Sequence, residues 1–376
     1  MDDFDRSAAW ARRNMPLTEG EISALEPLGG VRLACSVHLE PKSAPFFQAL
    51  LQRGAELFLT TCNPYTVRDE VVEKLVALGA TAQAWKGMAG KDQEEAARSA
   101  LAWRPTHLYE MGATLTGHLL ENGARVSVIA GLEATGSGIS RIKSLIGAGR
   151  ALTFPVFNCD DVPIKEGLHN RHLVGLSTWN TFMERTRLSL HGRHVLVVGF
   201  GLVGQGVAEI ARAFGGTVSV AEGDPARALF AAYAGYQAGT LDELVAQADV
   251  IVTATGTAGV LNAGHFARLR EGCFLLNVGH TPDEIDVAAL GPRRAVVPFV
   301  EEVEPCGRTV FLFAGGSMAN LTAGQGDSLN SFDITMATLA AGLRFLFSRE
   351  AGGFPPGLHP LPRNAWEHVA RRASGV

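Results

Sequence analysis

Three glycines in G-x-G-x-x-G spacing, Gly199, Gly201 and Gly204, follow the apolar run VLVV and open a helical stretch, with Gly206 just beyond. A short β-branched run of this kind suits a strand buried on both faces. The first glycine permits a tight turn. The second lets backbone N–H groups, those of Leu202 and Val203 included, approach a pyrophosphate, and the third lets the helix pack close to the strand. TVSVAE follows as a second strand, and Glu222 closes it 18 residues after Gly204. A carboxylate there grips a ribose 2′-hydroxyl and would repel a 2′-phosphate, so the pattern points to NAD over NADP.

The elements that position this turn follow a regular alternation. After a helical lead-in over residues 1–30, VRLACSVHLE, AELFLTTCN, TAQAWKG, PTHLYEMG, RVSVIAG and ALTFPVFN read as strands, with helical segments between most of them. Alternation at this pace predicts an α/β fold: two Rossmann-like domains, each a parallel sheet with helices on both faces, and a cleft between them. The boundaries expected are 1–175 plus 327–355 for a substrate-binding domain, 176–326 for an NAD-binding domain, and 356–376 for a Pro- and Gly-rich tail over the surface. Catalytic groups in such sheets sit just beyond strand ends. His38, the TTCN stretch with Thr61, and the turn after Tyr109 are therefore candidates for one crevice.

Bulk properties narrow the partners. With 376 residues, 47% of them hydrophobic and 19% charged, the chain is long enough for about two domains. A net charge of −5 gives no reason to expect nucleic acid or an anionic membrane as partner. No run is long and apolar enough to span a bilayer, and the acidic start MDDFDRSAAWARR has no signal core, so a cytoplasmic protein is expected. Five scattered cysteines without CxxC spacing are expected as reduced thiols, with no metal site.

Taken together, VHLE, TTCN, AWKG, the glycine loop, VAEGDPARAL, TATG, LNVGHTPDEID, ANL before a glycine turn, and GLHPLP resemble the S-adenosyl-L-homocysteine hydrolase family along nearly the whole chain. The resemblance implies a nucleoside substrate, a homo-oligomer (dimer or tetramer) and NAD used catalytically. In the family the sugar 3′-hydroxyl is oxidised, the 4′-hydrogen becomes acidic, and the 5′-thiol is expelled. Water then adds and the alcohol is restored. By the same resemblance His38 handles protons near the 5′ position, and Lys165 and Asn170 in IKEGLHN stand beside the 3′-hydroxyl. His280 stands at the mouth of the NAD domain. Cofactor contacts fall on Thr135, Ser137, Thr253, Ala254, Thr255, Gly256, Asn277, Val278, Gly279 and Asn320, besides the glycine turn and Glu222.

The departures from the family gather where substrate should lie. A family aspartate becomes Met111, and a ribose-binding glutamate falls on Ala134, with Glu133 placed to substitute after a shift of one residue. The aspartate before Asn170 becomes His169. In HLEPK, Glu40 and Lys42 replace a threonine and the glutamate that accepts from the adenine amino group, and a base-contacting histidine becomes Asp327. An ammonium donor in place of that acceptor predicts a base other than adenine, with a 6-oxo purine or a pyrimidine keto oxygen suiting Lys42. The family's C-terminal arm has no counterpart after ARRASGV, so NAD is expected to be held less tightly. Two other readings stay open: a nucleoside 3′-oxidoreductase or epimerase that omits 5′-elimination, and a non-catalytic NAD-binding regulator.

Overall fold

Short apolar runs alternating with amphipathic segments leave the chain little choice but parallel strands joined by helical crossovers. The computed structural model describes residues 3–123, 127–280 and 282–375, and the chain forms two compact units, Met1–Lys165 with Leu329–Val376, and Glu166–Ser328.

The first unit contains β1 (Arg32–Val37), β2 (Glu56–Thr61), β3 (Thr81–Ala82), β4 (His107–Glu110), β5 (Ala130–Glu133) and β6 (Pro155–Asn158). The start of the RVSVIAG segment lies outside the described residues. Read from one edge the strand order is 3-2-1-4-5-6, and every pairing is parallel. The order reverses between β1 and β4, the point at which open sheets of this type leave a crevice beyond the strand ends. The apolar helix Leu329–Leu346 covers one face of the sheet.

Residues 356–376, expected as a surface tail, complete this unit instead. Gly357–Pro360 pairs in parallel with β6, and the helix Arg363–Ser374 packs Val369 against Ala337 and Ala341. Proline and glycine suggested coil, but an edge strand pairs on one side alone and tolerates both.

The second unit contains β7 (His194–Val198), β8 (Thr217–Ala221), β9 (Gln237–Gly239), β10 (Val250–Thr253), β11 (Phe274–Asn277), β12 (Arg293–Val297), β13 (Val300–Val303) and β14 (Val310–Phe313). Its order, 9-8-7-10-11-14-13-12, again reverses beside the strand that precedes the glycine turn. The sheet is parallel except at one edge, where β13 runs antiparallel to both β12 and β14. Only Pro298 and Phe299 separate β12 from β13, too few residues for a crossover, so a hairpin results.

Two helices of this unit, Val174–Thr186 and Leu202–Ala213, approach closely through glycine. A Cβ on Gly175 would meet the Gly206 carbonyl oxygen at 2.6 Å, and one on Gly206 would collide with the Arg171 carbonyl. Gly206→Ala is therefore expected to cost about 1–3 kcal/mol by overpacking against backbone that cannot yield. A thermal melt checks this, and an unchanged midpoint would show that the backbone at Arg171 yields.

Candidate active site

At the end of β1 the local bonding sets the tautomer of His38. The Thr66 hydroxyl donates to the Asn63 carbonyl at 2.8 Å, so it accepts from His38 Nδ1–H, also at 2.8 Å. Cys62 Sγ lies 3.6 Å from the same nitrogen, and in the Nδ1–H tautomer Nε2 is the acceptor of the ring. Thr61 Oγ1 is occupied by the Asn63 amide at 3.1 Å and shapes this turn. Just beyond, Lys42 is buried, with Nζ 2.9 Å from Glu40 Oε2 and 4.8 Å from the centre of the Phe332 ring. The two substitutions in HLEPK thus form one ion pair.

The ends of β4 and β5 are held by carboxylates. Glu110 accepts from the Leu115 and Thr116 amides and the Thr116 hydroxyl, capping the helix Thr114–Asn122. Glu133, placed by sequence to stand in for a catalytic acid, is committed to the backbone. Its oxygens accept from the amides of Gly112 at 2.9 Å, Ala113 at 2.7 Å and Thr135 at 2.8 Å, and from the Thr135 hydroxyl at 2.7 Å. Burial, then the charge of Glu110, pushes its carboxyl from 4.5 up to about 8 against the pull of those donors. Thr135 and Ser137 share a hydroxyl contact of 3.2 Å at the start of the helix Gly136–Gly147, and Thr135 caps it. Met111 is half-buried against the core and brings no proton.

After β6 the carboxamide of Asn158 accepts from the Asp160 and Asp161 amides, and the buried Asp160 carboxyl accepts from Lys165 Nζ. Lys165 begins a π-helix, Lys165–Leu173, whose i→i+5 bonding sets residues five apart on one side, the spacing of Lys165 and Asn170. In the second unit His169 Nδ1 lies 3.1 Å from Asp327 Oδ2, so two positions that depart from the family meet each other.

The glycine turn of the second unit fits a dinucleotide by its own sterics. Gly199 has φ +96°, and a Cβ there would meet the Ala254 carbonyl oxygen at 2.8 Å. A Cβ on Gly204 would collide with the Gly199 carbonyl. Gly201 differs: its nearest neighbour would be Arg227 at 3.9 Å, so the protein itself leaves that space open. Glu222 accepts from the Phe200 amide at 2.6 Å and the Asp224 amide at 2.9 Å, which fixes it beside the turn. Leu202 and Val203 begin the helix beneath. Asn320 gives its Nδ2 to Ser177 at 3.1 Å, while its buried Oδ1 has no donor among the described residues, an acceptor suited to a carboxamide.

Thr253 and Asn277, expected against the cofactor, are wholly buried. Asn277 Oδ1 accepts from the Thr253 hydroxyl at 3.2 Å and the Gly279 amide at 2.7 Å, and Nδ2 donates to the Gly316 carbonyl at 3.1 Å. With no surface left, they tie strand ends together from below; Val278 is buried with them, while Ala254, Gly279 and His280 stay partly accessible. Glu284, which sequence reasoning missed, accepts from the Thr255 and Gly256 amides at 2.9 and 2.7 Å and from the Thr255 hydroxyl at 2.8 Å. The signal was an acid inside the PDEID segment at a position with no surface. Among the described residues no group of three His, Cys, Asp or Glu is placed to hold a metal ion, and no helix is long and apolar enough to cross a membrane.

Two sheets with reversed strand order, one of them carrying an open glycine cradle and a strand-end acid, define an NAD-binding α/β enzyme. Residues 6–127 match the family model described as S-adenosyl-L-homocysteine hydrolase, and residues 174–326 match the NAD binding domain of the same family. An adenosylhomocysteinase of Aeropyrum pernix is 34% identical over 372 residues, 96% of this chain and 89% of that protein. An S-inosyl-L-homocysteine hydrolase of Methanopyrus kandleri is 31% identical over 373 residues, 96% of this chain and 87% of that one. Another of that name, from Methanothermobacter thermautotrophicus, is 31% identical over 381 residues, covering 98% and 90%. The chain belongs to the S-adenosyl-L-homocysteine hydrolase family and is an NAD-dependent hydrolase of that kind.

Gly201→Ala is expected to abolish or severely weaken NAD binding while leaving the melting midpoint of the ligand-free protein unchanged, because the methyl enters space that only a ligand would fill. Calorimetric titration alongside a melt tests both halves. Glu133→Gln addresses the buried carboxyl. Between 4.5 and about 8 the folded chain keeps a proton that the unfolded chain has lost, so Glu133 makes stability fall as pH rises through that window. Urea unfolding at a series of pH values should show a flatter decline in the variant.

Proposed function

We propose that this enzyme cleaves or forms the 5′-thioether of an S-nucleosyl-L-homocysteine whose base carries a 6-oxo group, S-inosyl-L-homocysteine first among them. The observation that carries this reading is the buried Lys42 ammonium, anchored by Glu40 where the resemblance puts an acceptor for the adenine amino group. An ammonium at this position suits a keto oxygen, and an exocyclic amine facing it would leave two donors opposed, at a cost of about 1–3 kcal/mol. Relatives whose names specify S-inosyl-L-homocysteine, 31% identical across nearly the whole chain, support the same base.

Gly199, Gly201, Gly204 and Glu222 would hold the dinucleotide, with Asn320 accepting from its carboxamide. Bound NAD supplies a reversible two-electron oxidation of the sugar 3′-alcohol. Lys165 Nζ takes the 3′-hydroxyl proton and later returns it, and Asn170 orients the same hydroxyl. His38, its Nδ1 proton given to Thr66, moves protons at the 5′ position through Nε2. His280 lies near the departing group. Asp327, braced by His169, accepts from a ring N–H of the base.

The spent carboxylate of Glu133 and the apolar Met111 favour a second reading in which oxidation survives and elimination does not. Reaction in D₂O separates the two, because an epimerase leaves deuterium on a sugar carbon with the 5′ group still attached. For the leading reading, kcat/KM for S-inosyl-L-homocysteine should exceed that for the adenosyl compound by about 10-fold or more, as 1.4 kcal/mol implies. Lys42→Met should remove most of that preference. Equal kcat/KM for both bases in the unmodified enzyme would sink the assignment.

A further inference from the structure

We infer that Asp160 is the positioning carboxylate for Lys165, in a chain whose position 169 brings no acid. The inference deepens the function proposed above and rests on it. In the family that the chain resembles, an acid stands four residues after the lysine. Here that position is His169, and its Nδ1 faces Asp327 at 3.1 Å.

The carboxylate comes from the other side of the lysine in sequence. Asp160 Oδ1 meets Lys165 Nζ, with both residues about 6% exposed. The loop that carries them is built for the encounter. Asn158 Oδ1 accepts from the Asp160 amide at 2.9 Å and the Asp161 amide at 3.2 Å, and the Lys165 amide closes the loop on the Val162 carbonyl at 2.8 Å. Opposite, the helix Gly136–Gly147 starts with a residue lacking a side chain. A Cβ on Gly136 would stand 2.9 Å from Asp160 Oδ2, so any larger residue would crowd the carboxylate.

Such burial has a chemical consequence. Nζ can take the 3′-hydroxyl proton only as a neutral amine hydrogen-bonded to Asp160, and on taking it becomes an ammonium in a site with little water, where an unpaired charge is costly. Asp160 offsets that charge and holds Nζ at one point, so it favours the proton transfer without touching substrate. No atom is added or lost at Asp160. The proton moves from sugar oxygen to Nζ and returns when the alcohol is restored.

Asp160→Asn keeps the shape and one acceptor but removes the charge. The kcat for sugar oxidation, read in a single turnover from the reduced cofactor's absorbance, should fall about 100-fold, the scale of a misplaced proton-transfer group. KM should stay near its original value, a split that general unfolding would not produce. A second readout needs no turnover: in the ligand-free protein, acetylation mapped by mass spectrometry should mark Lys165 faster in Asp160→Asn, other lysines being unchanged. An unmodified enzyme that oxidises no nucleoside would remove the functional reading. An active enzyme whose kcat and Lys165 labelling are both unmoved by Asp160→Asn would overturn this inference alone.

Discussion

A carboxylate buried at the end of a parallel strand must be met by donors, and in both units the donors come mainly from the backbone of a neighbouring turn. Glu133 draws in the Gly112 and Ala113 amides from the turn after β4, and Glu284 draws in Thr255 and Gly256 from the turn after β10. Glu110 does the same for the helix that starts at Thr114. A buried acceptor left without donors is costly, and the bonds that satisfy it have direction. They convert loops that would otherwise wander into fixed walls, so ligand-facing groups gain a definite place.

Because these acids are spent on the fold, the chemistry falls to other groups. His38 is oriented by a two-step relay through Thr66 to the Asn63 carbonyl. Lys165 stands on a buried pair and at the head of a π-helix, a geometry common where function requires it. The departures in the substrate region are also coupled in pairs. Glu40 with Lys42, and His169 with Asp327, each meet within 3.1 Å. A charge introduced alone into a buried site would be costly, while Lys42 introduced with Glu40 keeps their charges balanced and changes what the site recognises.

The glycine turn shows how one motif serves two masters. Gly199 and Gly204 are required by the protein, since any side chain would strike a neighbouring carbonyl, while Gly201 is required only by what the turn holds. G-x-G-x-x-G spacing alone makes no such distinction. The tertiary contacts supply it.

Legibility followed distance along the chain. Strand–helix alternation, the glycine turn and the acid at Glu222 were readable because each depends on residues a few positions apart, as did the resemblance carried by intact local motifs. The antiparallel edge of the second sheet was hidden in a two-residue hairpin at Pro298 and Phe299, and the strand at Gly357–Pro360 was hidden by a composition that suggests coil. Bonding at the site was not legible either: Glu133 looked like a spare acid, yet it accepts from amides of the turn after β4, and Asn277 is buried against Thr253, Gly279 and Gly316. What the sequence determined by itself is the class of fold, the dinucleotide turn and the family, because spacing and local pattern encode them. Which carboxylates are free for chemistry, and which acid stands against Lys165, was decided only in three dimensions, because burial and bonding are properties of neighbours brought together by the sheet.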